Sequence, residues 1–299
     1  MVYTEHTSTA SDGTSLHVDV WRPETAPKFV VVIAHGGAEH AGRYAQLAGE
    51  LVAQGGLVFG PDHRGLGRSA GPRGHVARFE DYAHDLHQVM REQASRGGDS
   101  ERPEVLPWFL FGHSMGGLLS LIYLLEHERD FPLRGAILSS PLLGLTMKVN
   151  PVKLAVGKLA ARIAPRLALP SGLPAEAVSR DAEVVRRYVA DPLRVGVVTA
   201  GWFGAMNAAI ARVVQHASTI ALPCLWYVGT GDQICDHQAT LALFRGLPKA
   251  AARDQTMREF AGYYHELHNE PAELRAPVVA MIGEWITAHL EQPAVVASS

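Results

Sequence analysis

The sequence predicts an α/β fold, with a mostly parallel central sheet flanked by helices and a helical insertion. Three observations predict it. Short apolar, β-rich runs alternate with segments of helical periodicity, the pattern of a doubly wound sheet with strands buried on both faces. A Gly-x-Ser-x-Gly sequence, Gly112-His113-Ser114-Met115-Gly116, lies between one such run and one such helix. From Leu142 to about Leu222 the rhythm stops, and helical periodicity replaces it.

The elements follow in order. Ser15 to Trp21 alternates as a half-exposed strand behind the Asp12-Gly13 turn signal. Phe29 to Ala34 is a continuous apolar run and predicts a strand buried on both faces. Tyr44 to Ala53 reads as a helix, Leu57 to Gly60 as a strand and Asp81 to Gln93 as a helix. Trp108 to Phe111 is the strand before the Gly-x-Ser-x-Gly turn, and Gly117 to Leu125 is the helix after it. Gly135 to Leu138 and Cys224 to Val228 are further strands, and Met257 to Phe260 is a short one. Pro277 to Leu290 closes the chain as an amphipathic helix. Within the insertion, Pro151 to Ala164, Ala182 to Ala190 and Val195 to Val214 carry helical spacing. This divides the chain into a core from 1 to 141, a helical lid or cap from 142 to 222, a second core part from 223 to 291, and a flexible tail from 292 to 299.

Bulk composition narrows the function. The chain has 299 residues, 47% of them hydrophobic and 19% charged, enough for one large α/β domain with an insertion. A net charge of -3 and the lack of a long basic run argue against a nucleic-acid partner. The two cysteines, Cys224 and Cys235, form no Cys-x-x-Cys pair, so no zinc ribbon or disulfide framework is expected. No secretory signal and no run of about 18 apolar residues is read, which predicts a cytoplasmic protein.

The Gly-x-Ser-x-Gly turn carries the chemistry. Between strand and helix it forms a nucleophile elbow, too tight for bulky residues two before and two after Ser114. The strain lifts the hydroxyl clear of the sheet, and the Met115 N–H can point at a developing oxyanion. A serine hydroxyl needs a base within reach, itself oriented by an acid. On such a fold the order is serine, acid, histidine. Asp232 follows the strand Cys224 to Val228 in Gly229-Thr230-Gly231-Asp232, where a sheet of this kind carries its acid. Asp236 is the rival, further from the strand end and equally suited to cap a turn. For the base, His265 and His268 compete, with His265 nearer the strand end. The second oxyanion donor is expected from His35-Gly36-Gly37, the Gly37 N–H pairing with that of Met115.

Other patterns carry less. Gly65 to Gly71 is one residue too long for a dinucleotide fingerprint. Asp81, His84, Asp85 and His87 share one helix, but without a His-Glu-x-x-His pattern they read as a solvated face, so no metal is expected. Glu39, His40 and Arg43 lie beside the oxyanion loop, suited either to read substrate hydroxyls or to tie the loop down.

The residues His35-Gly36-Gly37-Ala38-Glu39-His40-Ala41-Gly42-Arg43-Tyr44, Asp62-His63-Arg64-Gly65-Leu66-Gly67-Arg68-Ser69 and Gly112 to Gly117 resemble the monoacylglycerol lipases of the α/β-hydrolase superfamily. So do Val178-Ser179-Arg180-Asp181, Ala190-Asp191-Pro192-Leu193, Gly229 to Asp236, and Tyr264 to Glu270. The likeness runs from about Trp21 to Ile286. Leu66 departs from it, standing where a histidine is frequent. The resemblance implies Ser114 as nucleophile, Asp232 as acid, His265 as base, and Gly37 and Met115 as oxyanion donors. It implies hydrolysis of a lipid ester through an acyl-enzyme, with no cofactor, and a mobile lid over an acyl tunnel. Broad carboxylesterases and lysophospholipases share these motifs. Glu39, Arg43, His113 and His268 are the candidate substrate-binding residues. Leu154, Leu159, Ile163, Leu167 and Leu169, with Lys153, Lys158, Arg162 and Arg166, are the candidates for peripheral contact with a lipid surface.

Overall fold

The computed structural model describes residues 1–96, 106–128, 130–146, 157, 159–248 and 254–291. The central sheet has eight strands: β1 (Val2–Thr9), β2 (Ser15–Arg22), β3 (Phe29–Ala34), β4 (Gly56–Pro61), β5 (Trp108–His113), β6 (Leu133–Ser139), β9 (Cys224–Gly229) and β10 (Gln255–Phe260), in the order β1-β2-β4-β3-β5-β6-β9-β10. The pairs β1–β2 and β2–β4 are antiparallel and all others parallel. The helices are α1 (Ala45–Ala53), α2 (Phe79–Ser95), α3 (Met115–His127), α4 (Ala182–Ala190), α5 (Ala200–His216), α6 (His237–Gly246) and α7 (Ala272–His289).

Strand β3 shows why the apolar runs are continuous. Val30, Val32 and Ala34 enter the core layer beneath α2 and α3. Val31 and Ile33 enter the opposite layer, with Tyr44 and Leu51 near α1 and Val278 and Ile282 of α7. Both faces are covered, so alternation of polar and apolar residues disappears.

The structure extends several expectations. Strand β1 lies where no strand was read, pairing along all of β2. The last helix begins at Ala272, not Pro277, because the Leu274 and Arg275 N–H groups already bond to Pro271 O at 2.8 and 2.9 Å. Helix α6 is also additional to the sequence reading. In the insertion, the helix expected from Val195 starts at Ala200. The preceding residues form β8 (Val197–Thr199), paired antiparallel with β7 (Ala168–Pro170). Of the helix expected over Pro151 to Ala164, residues 159–163 are helical, while 151–156, with Lys153 and Leu154, and Lys158 lie outside the described residues, as does the tail 292–299. No helix among the described residues is long and apolar enough to cross a membrane.

Candidate active site

The elbow joins β5 to α3. Ser114 adopts φ 54° and ψ -116°, a backbone state that L-residues rarely hold. Its N–H donates to Ser139 O at 2.9 Å, and its carbonyl accepts from Leu142 N at 2.9 Å, so neighbouring segments hold the strained turn. The flanking glycines are required by contact. A Cβ on Gly116 would lie 1.9 Å from Ala34 O, and one on Gly112 would lie 2.4 Å from Gly116 O.

Asp232 and His265 come from the loops after β9 and β10. His265 Nδ1 donates to Asp232 Oδ2 at 2.7 Å, and both residues are buried. The other oxygen of Asp232 accepts from the N–H groups of Ile234 and Cys235 at 2.8 and 3.0 Å, which fixes the carboxylate. Asp236 does something else: its Oδ1 accepts from Gln238 N at 2.9 Å and caps α6. Burial alone would lower the pKa of His265, but the charge and hydrogen bond of Asp232 outweigh it and raise the value. Ser114 Oγ lies 3.8 Å from Cys235 Sγ in this structure, not in a hydrogen bond to the imidazole. Burial and the Asp232 charge push the Cys235 thiol well up, so its reactive thiolate is scarce.

Gly37 packs against Met115, with 3.8 Å from its ideal Cβ position to Met115 Cβ. Among the described residues, no loop or side-chain hydrogen bond uses either N–H. The loop is held from within. Gly36 N donates to Glu39 Oε1 at 2.5 Å, and Ala38 takes φ 61°. Behind it His35 Nε2 accepts from His63 N at 2.9 Å, the two rings 4.0 Å apart.

Glu39 also accepts from Tyr44 OH at 2.7 Å and from Arg43. Arg43 makes a forked pair with Glu266 at 2.7 and 2.8 Å, and its guanidinium lies 4.7 Å over the Tyr188 ring. Burial pushes the Glu39 carboxyl up, whereas Arg43 overcomes burial at Glu266 and holds that carboxyl down.

Ser114 and His265 open onto a cavity of about 290 Å³ whose wall is mostly apolar, with Leu145, Leu173, Trp202, Phe203, Met206 and Ile234 among its lining. Glu39 and His113 also reach this wall. Of the four candidate substrate-binding residues, Arg43 and His268 do not. Arg43 is spent between two carboxylates, and His268 is buried with its ring 5.0 Å from Tyr44 and 4.9 Å from His113. Burial lowers the pKa of His268 to about 4, so it is a neutral packing residue. His113 bonds through Nδ1 with Ser139 Oγ at 3.0 Å, its ring 4.6 Å from His265.

Two stretches of the insertion dock on the site's loops, which sequence reasoning missed. His40 Nε2 donates to Asp191 Oδ2 at 2.8 Å beside the Gly36–Glu39 loop. On the other side Ser179 Oγ donates to Asn269 O at 2.8 Å, and Glu266 N donates to Val178 O at 2.8 Å. Their signal in the sequence is the resemblance of Val178 to Asp181 and Ala190 to Leu193 to the monoacylglycerol lipases.

The sheet, the elbow and the apolar cavity define a carboxylic ester hydrolase of the α/β-hydrolase fold. Residues 25–272 match the family described as "Serine aminopeptidase, S33". The chain is 34% identical to a monoacylglycerol lipase from Mycolicibacterium smegmatis over 287 residues, covering 96% of this chain and 98% of that one. It is 32% identical to the phospholipase YtpA of Bacillus subtilis over 252 residues, 84% and 92% of the two chains. Its fold superposes on a crystal structure of Paleococcus ferrophilus monoacylglycerol lipase with a TM-score of 0.78 at 30% identity, covering 97% and 100% of the chains. The chain belongs to this family, the monoglyceride-lipase-like hydrolases.

Proposed function

We propose that the protein hydrolyses monoacylglycerols to glycerol and free fatty acid through an acyl-enzyme. The single observation that carries the reading is the apolar cavity that ends at Ser114 and His265. A long acyl chain fits such a wall, and the ester then sits at the hydroxyl. Ser114 Oγ turns from Cys235 toward His265 and attacks the ester carbonyl, giving its proton to Nε2. Asp232 holds the imidazole tautomer and stabilises the imidazolium. The N–H groups of Gly37 and Met115 receive the oxyanion. The proton passes to the departing glycerol, and water repeats the cycle on the acyl group.

The insertion 142–222 is the proposed lid. Leu159, Ile163, Leu167 and Leu169 are exposed, with Arg162 and Arg166 between them. Apolar side chains ringed by cations suit peripheral contact with a lipid surface. A peptidase reading is disfavoured by the two carboxylates that line the cavity, Glu39 and Glu266. Both are held by Arg43, which leaves neither free for a substrate amine.

A lysophospholipase or broad carboxylesterase is the second reading, favoured by the phospholipase relative. The test is fatty-acid release from monoolein, diolein, triolein, lysophosphatidylcholine and a short nitrophenyl ester, with Ser114→Ala as control. Preference for monoolein supports the proposal. Preference for lysophosphatidylcholine, or activity confined to the short ester, overturns it.

A further inference from the structure

The elbow helix α3 has a second end. Its last residues, Glu126 and His127, lie against His84 of α2. One donor atom from each of His84, Glu126 and His127 falls within 4.8 Å of the others, and His84 Nε2 is 3.5 Å from Glu126 Oε2. From α2 alone His84 is one histidine on a polar face. The fold supplies the other two donors from α3, which begins at Met115, well beyond the end of α2.

Three details mark this trio as more than a surface cluster. His127 Nδ1 donates to Asp130 Oδ2 at 2.9 Å. That bond fixes the tautomer and leaves the lone pair on Nε2. Yet His127 Nε2 is buried with no hydrogen-bond partner, and so is Glu126 Oε2. His127 Nε2 stands unpaired and Glu126 Oε2 has only the 3.5 Å approach of His84, so the three donors are open to a shared cation. A carboxylate bonded to the far nitrogen of a histidine is also the usual support of a metal-bound imidazole.

The surroundings reinforce it. The His87 ring stacks on His127 with centroids 4.4 Å apart and planes 15° apart, which holds the imidazole in place. The negative end of the α3 dipole lies at the same point and favours a cation. Glu126 uses its other oxygen, Oε1, to accept from Arg212 at 2.8 Å, so one carboxylate can serve both without losing the ion pair. The His84 side chain is 47% exposed and free to swing the short distance needed to close on an ion.

We propose that His84, Glu126 and His127 form a binding site for a divalent ion of the zinc class, with Asp130 orienting His127. Two imidazoles and a carboxylate suit zinc, cobalt or nickel over the hard oxygen-seeking ions. A water would complete four-coordination. The site is structural: it lies about 20 Å from Ser114, thirteen residues along α3 at about 1.5 Å each. The ion would clamp α2 to α3 and, through Glu126 and Arg212, brace the insertion helix α5.

Chelator-treated full-length protein is titrated with Zn²⁺, and separately with Co²⁺ followed by its visible ligand-field spectrum, at one fixed buffered pH. The expected result is one saturable equivalent, a Co²⁺ spectrum of low coordination number, and a rise in Tm of about 5 °C at hundredfold excess over Kd. His84→Ala, at an exposed position that leaves folding and ester hydrolysis intact, should lose the equivalent and the Tm rise. Asp130→Asn should weaken binding by about 10- to 100-fold. No saturable binding, or equal binding by the wild type and His84→Ala, overturns the proposal.

Discussion

Arg43 grips Glu266 with two hydrogen bonds and Glu39 with a third, so one guanidinium ties the Gly36–Glu39 loop to the residue next to His265. Replacing it leaves two buried carboxylates without their counter-charge, with only neutral donors such as Tyr44 and Asn269 still bonded to them. Arg43→Ala should cost about 3 to 5 kcal/mol of stability, read as a lowered denaturation midpoint. Arg43→Lys keeps the charge but not the fork, and should recover only part of that loss. Full stability in Arg43→Ala would refute the assignment of a tie.

The two candidate acids separate by what they hold. Asp232→Asn should lower kcat by about 10⁴-fold with the fold intact, since the imidazole loses its tautomer. Asp236→Asn should leave kcat unchanged, and Asp236→Ala should cost about 1 kcal/mol through the lost helix cap. Equal loss of activity in both asparagine variants would reverse the assignment.

The pH profile has a definite sign. As the proposed base, His265 works only when neutral, and Asp232 raises its pKa above the ordinary 6.5. Activity toward a short ester should therefore rise with pH through a midpoint above that value. In Asp232→Asn burial acts without the opposing charge, and the midpoint of the residual activity should fall. A wild-type midpoint below the free imidazole value would contradict the geometry.

Backbone crowding at the elbow is a separate test. Gly116→Ala places its Cβ against Ala34 O and His35 O, both backbone atoms, and should cost about 3 kcal/mol or more. Gly246→Ala meets nothing within 4 Å and should be close to neutral. Soluble expression and thermal melting of the two variants give the comparison.

The exposed apolar residues of the proposed lid predict a substrate-dependent effect. Ile163→Ser with Leu159→Ser should reduce hydrolysis of monoolein in anionic vesicles while leaving the short soluble ester unaffected. Equal rates on vesicles by variant and wild type would remove the lipid-surface role.

How much of this was legible depended on range along the chain. Strands β3 and β5 and the elbow announce themselves because burial on both faces and a strained turn each leave a local pattern. Strand β1 did not, since Val2 and Tyr3 are exposed at an edge and no apolar run marks it. Helix α6 was signalled by Asp236, whose capping role was visible only as an alternative to catalysis. Strands β7 and β8 have three residues each, too few for periodicity. The pairs Arg43–Glu266 and His40–Asp191 lie 223 and 151 residues apart, and nothing local encodes them. The same separation hides from the sequence that Arg43 is taken up by Glu39 and Glu266.

The docking of Ser179 and Asp191 has a practical consequence for redesign. These two positions fasten the insertion to the loops that carry His265 and Gly37, whereas Leu173, Trp202 and Phe203 shape the cavity without holding either loop. Libraries that vary the second group can retune which acyl groups are accepted. Libraries that reach the first will shift the loops of Gly37 and His265, the proposed reacting groups, and clones with a broadened range will be lost among inactive ones.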